Sequence, residues 1–284
     1  MENKLKLYKD SQDNCFINDN GIWFNKEYEE QPELSYQEDG HDLYLQIEES
    51  SFWFNYRNQC INKAIQNFHS GNIFYDVGGG NGYVSRFLEN NGHNTILVEP
   101  SIHGCKNAKN RGLKNIYCMP FEDVQIQTTE PISAGLFDVI EHIEDHHSFL
   151  KSIKNKIPKG SKIFITVPAY KTLWSHEDII AGHYRRYTKN SLENVIKDVG
   201  LKTVYSTYFF SFLPLPIFLF RSIPFLMKIK SETIQNKEDV KANHKSGSSL
   251  SNQIISSLLK IESKAIENKM SIPFGGSILL VAEK

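Results

Sequence analysis

The sequence has no excess of either charge: 32 basic side chains face 33 acidic ones, for a formal net charge of -1. A nucleic-acid binder normally carries a basic surplus or a Lys/Arg stripe, so no nucleic-acid partner is expected. Cysteine is scarce. Cys15, Cys60, Cys105 and Cys118 stand far apart with no Cys-x-x-Cys pair, which excludes a zinc ribbon or dithiol motif and suits a reducing compartment. The opening MENKLKLYKDSQDN lacks the apolar core of a secretory signal, so the expected location is cytoplasmic. No uninterrupted apolar run reaches the ~20 residues of a membrane span. The nearest, Phe209 to Met227, is broken by Pro214, Pro216 and Pro224 and contains Arg221. It reads as a strand end followed by a helix over a pocket, and contact with a membrane surface stays open.

What is present is an alternation of strand and helix patterns, the signature of a parallel sheet covered by helices. LYLQIEESSFWFNYRNQCINKAIQNF, from Leu43 to Phe68, has helical periodicity. The strands NIFYDVG, NTILVEP, NIYCM, PISAGLFDV and SKIFITVP follow from Asn72 onward, with helices between most of them. A long loop from Ala169 to Tyr187, a helix and the strand LKTVYSTYFF close the run. The expected fold is α/β: a Rossmann-like seven-stranded sheet, mostly parallel, with an antiparallel C-terminal strand, helices on both faces and extra helices as a lid. The expected divisions are an N-terminal extension and lid helix (1–70), a core (71–212), a helical insertion with a mobile polar linker (213–270) and a last core strand (271–284). That strand, GGSILLVAEK, is expected beside the strand around Val204.

Asp76 to Gly82 reads DVGGGNG and joins a strand directly to a helix. Backbone N–H groups at such a junction suit a nucleotide-like ligand, and glycines let it approach. Glu99 ends the next strand, where a carboxylate accepts ribose hydroxyls. The dinucleotide fingerprint G-x-G-x-x-G would need glycine at position 83, which is Tyr83. Instead, Asp76, Gly78, Gly80 and Gly82 spell D-x-G-x-G-x-G, and here the chain resembles class I S-adenosylmethionine-dependent methyltransferases. GLFDVIEHIED and IPKGSKIFITVP look like the ubiquinone-methyltransferase-like branch. TLWSHEDIIAGHYRRYT and PFGGSILLVAEK look like a bacterial subgroup of it with a GHYRRY loop. The resemblance runs from about Phe52 to Lys284. It implies S-adenosylmethionine as cofactor and S-adenosylhomocysteine as product. It also implies that Gly78 and Gly80 approach the methionine part, Asp76 orients it and Glu99 holds the ribose. Phe121 and Phe137 would lie near the adenine, and Gly79, Pro100 and Asp138 would complete the site. The acid that often reads the adenine amino group is replaced in CMPFED, where Glu122, or else Asp123, is the substitute.

DVIEHIEDHH concentrates carboxylates and histidines. H-I-E-D-H misplaces the glutamate of a zinc protease by one position. Asp138, Glu141 and His142 form D-x-x-E-H, similar to the E-x-x-E-H pattern on which some ubiquinone-branch and RNA-end methyltransferases carry a divalent ion, and carboxylates with one histidine suit magnesium or manganese better than zinc. Many relatives share the EH without metal, so hydrogen bonding within the loop is the expectation and no metal ligand is assigned. His142 and His183 are the candidate bases, each with a structural role as the competing reading. Ligands of an open parallel sheet bind beyond the carboxyl ends of its strands. Trp174, Arg185, Arg186 and Tyr187 therefore become candidate substrate contacts: one arginine clamps an anion while the other pairs with Asp178 or Glu177, or else both form a salt-bridged corner. Arg57 is a further candidate substrate contact, with Trp53 and Arg57 read either as a lid over the cofactor or as part of a core helix. No N/D-P-P-Y motif follows the fourth strand, which argues against amino groups on DNA bases. The expected acceptor is a small molecule, sugar or lipid-linked intermediate, with oxygen preferred over carbon. The alternative is a non-catalytic sensor of S-adenosylmethionine or S-adenosylhomocysteine.

Overall fold

The computed structural model describes residues 15–17, 21–25, 45, 48, 49, 51–227 and 249–284. One sheet of nine strands runs in the order β1-β2-β5-β4-β3-β6-β7-β9-β8. Its strands are β1 (Cys15–Ile17), β2 (Ile22–Asn25), β3 (Phe74–Val77), β4 (Thr95–Val98), β5 (Ile116–Cys118), β6 (Ser133–Phe137), β7 (Lys162–Pro168), β8 (Lys202–Phe209) and β9 (Ser277–Glu283). The seven expected strands are β3 to β9, and β1 and β2 add two more at one edge. β2 pairs parallel with β5, and β1 antiparallel with β2. The cue for this pair was Asn20-Gly21 between CFI and IWF, because Asn-Gly between apolar runs is a hairpin signal. Gly21 has φ 76.

β9 inserts antiparallel between β7 and β8, so it lies beside Val204's strand as expected and also completes β7. Buried β7 side chains alternate between the two faces. Ile163, Ile165 and Val167 join the core under α4 (His146–Lys156) and α6 (Lys189–Asp198). Phe164 joins the opposite core with α1 (Phe52–Phe68), α2 (Tyr83–Asn90) and Ile266. That period of two is what a strand buried on both faces requires. α3 (Ile102–Asn110) covers the β2–β5–β4 edge.

Three further helical pieces matter below. α5 (His176–Ile180) lies in the loop after β7. α7 (Pro214–Ile217), a π-helical turn (Phe218–Ser222) and α8 (Ile223–Leu226) form the apolar segment after β8. α9 (Ser249–Glu267) packs against α1. α1 starts later than the periodicity suggested. Ser51 is its N-cap at φ -80, ψ 124, and its side chain accepts from Trp53 N–H, a geometry that leaves the helix. The polar linker expected after Met227 lies outside the described residues. Among the described residues no helix is long and apolar enough to cross a membrane.

Candidate active site

The parallel strands β3, β4, β6 and β7 all end at one rim, and the loops leaving them carry the chemically interesting residues. After β3 the chain turns through Gly78, Gly80 and Gly82 at φ 69, 53 and 72, a left-handed conformation that side chains resist. A Cβ on Gly79 would stand 2.4 Å from Leu97 Cδ1 and 2.6 Å from Asp76 Oδ2. Asp76 is fully buried. Its Oδ2 accepts from Ser85 Oγ at 2.7 Å, whereas Oδ1 is buried without a partner. Burial raises this carboxyl to about 6 against the opposing Ser85 hydrogen bond. Glu99 Oε2 accepts from Gly80 N–H at 2.9 Å and Oε1 from Ser101 N–H at 2.8 Å. Burial raises it to about 7. Each oxygen keeps a second lone pair. An unsatisfied buried acceptor, a backbone cradle a Cβ would fill and a carboxylate with spare acceptor capacity fit a nucleoside bearing an amino-acid tail. Pro100 is half-buried beside Glu99.

The two phenyl rings assigned to the adenine separate. Phe121 is buried edge-on against Tyr75 at 6.0 Å, in the core under α4. Phe137 stacks on Phe74 at 6.1 Å in the opposite core. Phe121 and Phe137 thus belong to the cores on opposite faces of the sheet. Glu122 is exposed, and its Oε1 accepts from Ser152 Oγ at 2.9 Å.

After β6, Asp138 sits at φ 57, a conformation that costs a non-glycine residue energy and clusters at functional sites. Its Oδ2 receives Arg57 Nη1 at 2.5 Å and its Oδ1 receives Thr166 Oγ1 at 3.2 Å. Arg57 is buried, with its guanidinium 5.2 Å from the Trp53 and Phe54 ring centroids. It is therefore a core residue that fixes the β6 loop, and Trp53 stacks on Phe210 at 5.5 Å. Glu141 is fully buried and neither carboxyl oxygen has a partner. Burial, and then the neighbouring Asp138 charge, push its pKa well up. The His142 ring lies 4.7 Å from that of His183 at 74°. Burial, reinforced by His183, lowers His142 to about 4, so it is neutral at pH 7.

The loop after β7 is closed at its neck by Tyr170 N–H to Tyr187 O at 2.7 Å and Tyr187 N–H to Pro168 O at 3.0 Å. Asp178 organises its interior. It caps α5 through Ser175 N–H at 2.9 Å, takes Arg186 Nε at 2.6 Å and Nη2 at 3.1 Å, and meets His183 Nδ1 at 2.8 Å. These bonds hold its carboxyl below the usual range despite burial. Arg186 also donates to Ala169 O. Arg185 donates to Ile143 O and Glu144 O, tying this loop to the β6 loop. Both arginines are thus occupied by the protein, and Arg221, not an arginine of the pair, takes Glu177. Tyr187 is buried with its hydroxyl 2.6 Å from His146 Nδ1, a core role in place of the expected substrate contact. Trp174 is half-buried just before α5. The reading of residue types missed Ser85, Thr166 and the pairing of Arg57 with Asp138, which joins elements 81 positions apart; short polar residues and long-range partners leave no periodic trace in a sequence.

A glycine turn after β3, an acid at the end of β4 and an antiparallel β9 between β7 and β8 are the arrangement of a class I methyltransferase fold. The chain belongs to the methyltransferase domain family, whose model matches residues 57–206. No curated protein matches it. Among solved structures it is similar to Haemonchus contortus phosphoethanolamine N-methyltransferase 2 in complex with S-adenosyl-L-methionine, at 18% identity and TM-score 0.53, covering 88% of this chain and 58% of that one. It is also similar to the methyltransferase bound to the Haloferax volcanii Trm112 activator, at 13% identity, TM-score 0.53 and coverages of 87% and 96%. A third likeness is to the plantazolicin methyltransferase BamL in complex with a triazolic desmethylPZN analog and S-adenosylhomocysteine, at 11% identity, TM-score 0.50 and coverages of 87% and 91%. At these identities the likeness is one of fold.

Proposed function

We propose that this enzyme methylates an oxygen of a small-molecule, sugar or lipid-linked acceptor. The observation that carries this reading is the pair of imidazoles, His142 and His183, brought together from the β6 and β7 loops at the rim where the glycine turn lies. When bound, the sulfonium cofactor supplies an activated methyl group. Asp76, Gly78, Gly79 and Gly80 receive its amino-acid end, and Glu99 with Pro100 its ribose. The chain's remaining task is to position an acceptor hydroxyl and take its proton. Asp178, anchored by Arg186, holds His183 Nδ1 and leaves Nε2 for the acceptor. This base-and-orienter arrangement is the one that activates weak nucleophiles in general.

Transfer of a labelled methyl group from S-adenosylmethionine into small-molecule extracts tests the reading. Incorporation that falls at least about 100-fold in His183→Ala, with S-adenosylhomocysteine affinity unchanged, is expected. Full turnover in that variant would refute the base assignment. The lipid-linked option draws on the exposed Leu215, Leu219 and Phe220 of the segment after β8, beside Ile179 and Ile180 of α5. Sedimentation with anionic vesicles, reduced in Phe218→Ser/Phe220→Ser, is its specific test.

A further inference from the structure

We propose that Glu48 is a positioning residue for the cofactor: held by Arg111 against the glycine turn, it keeps that turn in the shape that receives S-adenosylmethionine and slows the ligand's release. Glu48 lies upstream of Phe52, where the sequence resemblance to methyltransferases begins, so no motif points to it. The inference rests on the placement of the cofactor at the glycine turn and is independent of the acceptor.

The reason begins in the turn itself. From Gly78 to Gly82 it carries four glycines and a single side chain, that of Asn81. Glycine loses more backbone freedom than any other residue when it is fixed, and three of these four take positive φ. A turn already fixed before the ligand arrives lowers the ordering cost that binding must overcome. Backbone donors supply part of the hold: Gly78 N–H donates to Val98 O at 2.8 Å and Gly80 N–H to Glu99 at 2.9 Å. The Asn81 side chain supplies the rest. It is buried, and its Oδ1 accepts from Asn107 Nδ2 of α3 at 3.0 Å. Glu48 is within hydrogen-bonding reach of the same carboxamide.

A closed ring of contacts delivers Glu48 to this spot. Arg111, one turn beyond Asn107 as the C-cap of α3, donates Nη2 to Glu48 Oε2 at 2.5 Å and Nη1 to Glu49 Oε1 at 3.4 Å. Its guanidinium also lies 5.0 Å from the ring centroid of Tyr83, the residue directly after the turn. Tyr83 Oη donates to Asn55 Oδ1 at 2.7 Å, and Asn55 Nδ2 donates to Glu49 O at 3.2 Å. Glu48 and Glu49 are thus bracketed to the turn through α3 on one side and α1 on the other. The Arg111 and Glu48 side chains are only 7% and 12% exposed. A buried ion pair is weak evidence of stability, because desolvation offsets its attraction. A pair that joins positions 63 apart and closes on the cofactor's turn is better explained by what it orders.

The test is calorimetry of S-adenosylhomocysteine binding to the full-length protein. Release of labelled S-adenosylmethionine under a chase of excess S-adenosylhomocysteine gives the off-rate, and Tm is recorded on the same samples. Glu48→Ala and Arg111→Met should each weaken Kd about 10-fold, mainly through faster release. Asn81→Ala should do the same. Adding Glu48→Ala to Asn81→Ala should then change Kd by less than about threefold, because the two act in series. A merely structural role would not produce that saturation. Tyr205→Phe supplies the comparison for stability: it removes a hydrogen bond to Met270 O, so Tm falls while Kd stays within about threefold. A Kd for Glu48→Ala within threefold of the parent overturns the inference. So do losses that multiply when Glu48→Ala and Asn81→Ala are combined, or an equal weakening in Tyr205→Phe. If the parent binds neither S-adenosyl ligand, the cofactor placement fails and this inference with it. Binding by the parent that ignores these substitutions sinks this inference alone.

Discussion

Replacing Glu99 by glutamine separates what burial does to this carboxyl from what the carboxyl does for a ligand. Its two oxygens accept from Gly80 N–H and Ser101 N–H, and burial has moved it from an ordinary 4.5 to about 7. That displacement corresponds to roughly 3 kcal/mol in favour of the neutral form. The folded-state pKa is raised, so the associated stability is fully present below about 4.5 and is lost as pH climbs to 7. Glutamine mimics the neutral acid but has only one oxygen, so one of the two N–H donors faces an amide NH2, at a fixed cost of about 1 kcal/mol. Denaturant unfolding from pH 4.5 to 8 should therefore show the parent losing roughly 3 kcal/mol relative to Glu99→Gln. Ligand binding should move the other way. Two hydroxyls donating to an anionic carboxylate contribute about 2–3 kcal/mol beyond what an amide supplies, so calorimetry at pH 8 should give a Kd for S-adenosylhomocysteine weaker by roughly 30- to 150-fold. The parent's own affinity should fall as pH drops through 7, and the variant's should not. Two parallel stability curves, or a variant Kd within threefold of the parent, would refute the reasoning.

Gly79→Ala forces a methyl group against Leu97 and the immobile Asp76 carboxyl; a loss of about 1–3 kcal/mol in unfolding experiments and a Kd for S-adenosylhomocysteine at least about 10-fold weaker are expected. Arg57→Met leaves Asp138 beside Glu141 without its counter-charge. About 2–3 kcal/mol is lost, lowering Tm by roughly 5–8 °C in scanning calorimetry, and an unchanged Tm would show the pair to be idle. Arg186→Lys cannot reproduce the two-pronged grip on Asp178. Turnover should fall while S-adenosylhomocysteine affinity holds, and equal losses in both would place Arg186 in the cofactor site instead.

The alternation of strands and helices was legible because both faces of this sheet are covered, so each buried strand stands out as an apolar run between turn residues. The glycine turn was legible for a related reason: backbone shape at Gly78, Gly80 and Gly82 restricts the residue type directly. The fate of the AGHYRRYT run was not. A guanidinium binds a ligand phosphate and a backbone carbonyl with the same N–H groups, so only the position of Ile143 and Glu144 decides what Arg185 holds. Arg186 and Asp178 were paired correctly as one of two options, but their joint hold on His183 needed the fold of the loop. Tyr187 illustrates the reverse error: an aromatic in a polar run looks like a contact surface, yet its ring closes the core beneath the loop.

β9 joins the sheet from far along the chain, between two strands that are themselves adjacent to it only through its presence. Until it arrives, β7 and β8 each present a bare edge flanked by large apolar side chains such as Phe164 and Phe209. A nascent chain in that condition has a half-open sheet able to pair with a neighbour. The interval between synthesis of β8 and insertion of β9 is thus the stage at which this protein is most exposed to misassembly. Slowing translation there, or deleting β9 (Ser277–Glu283), should raise aggregation far more than the loss of seven residues would suggest.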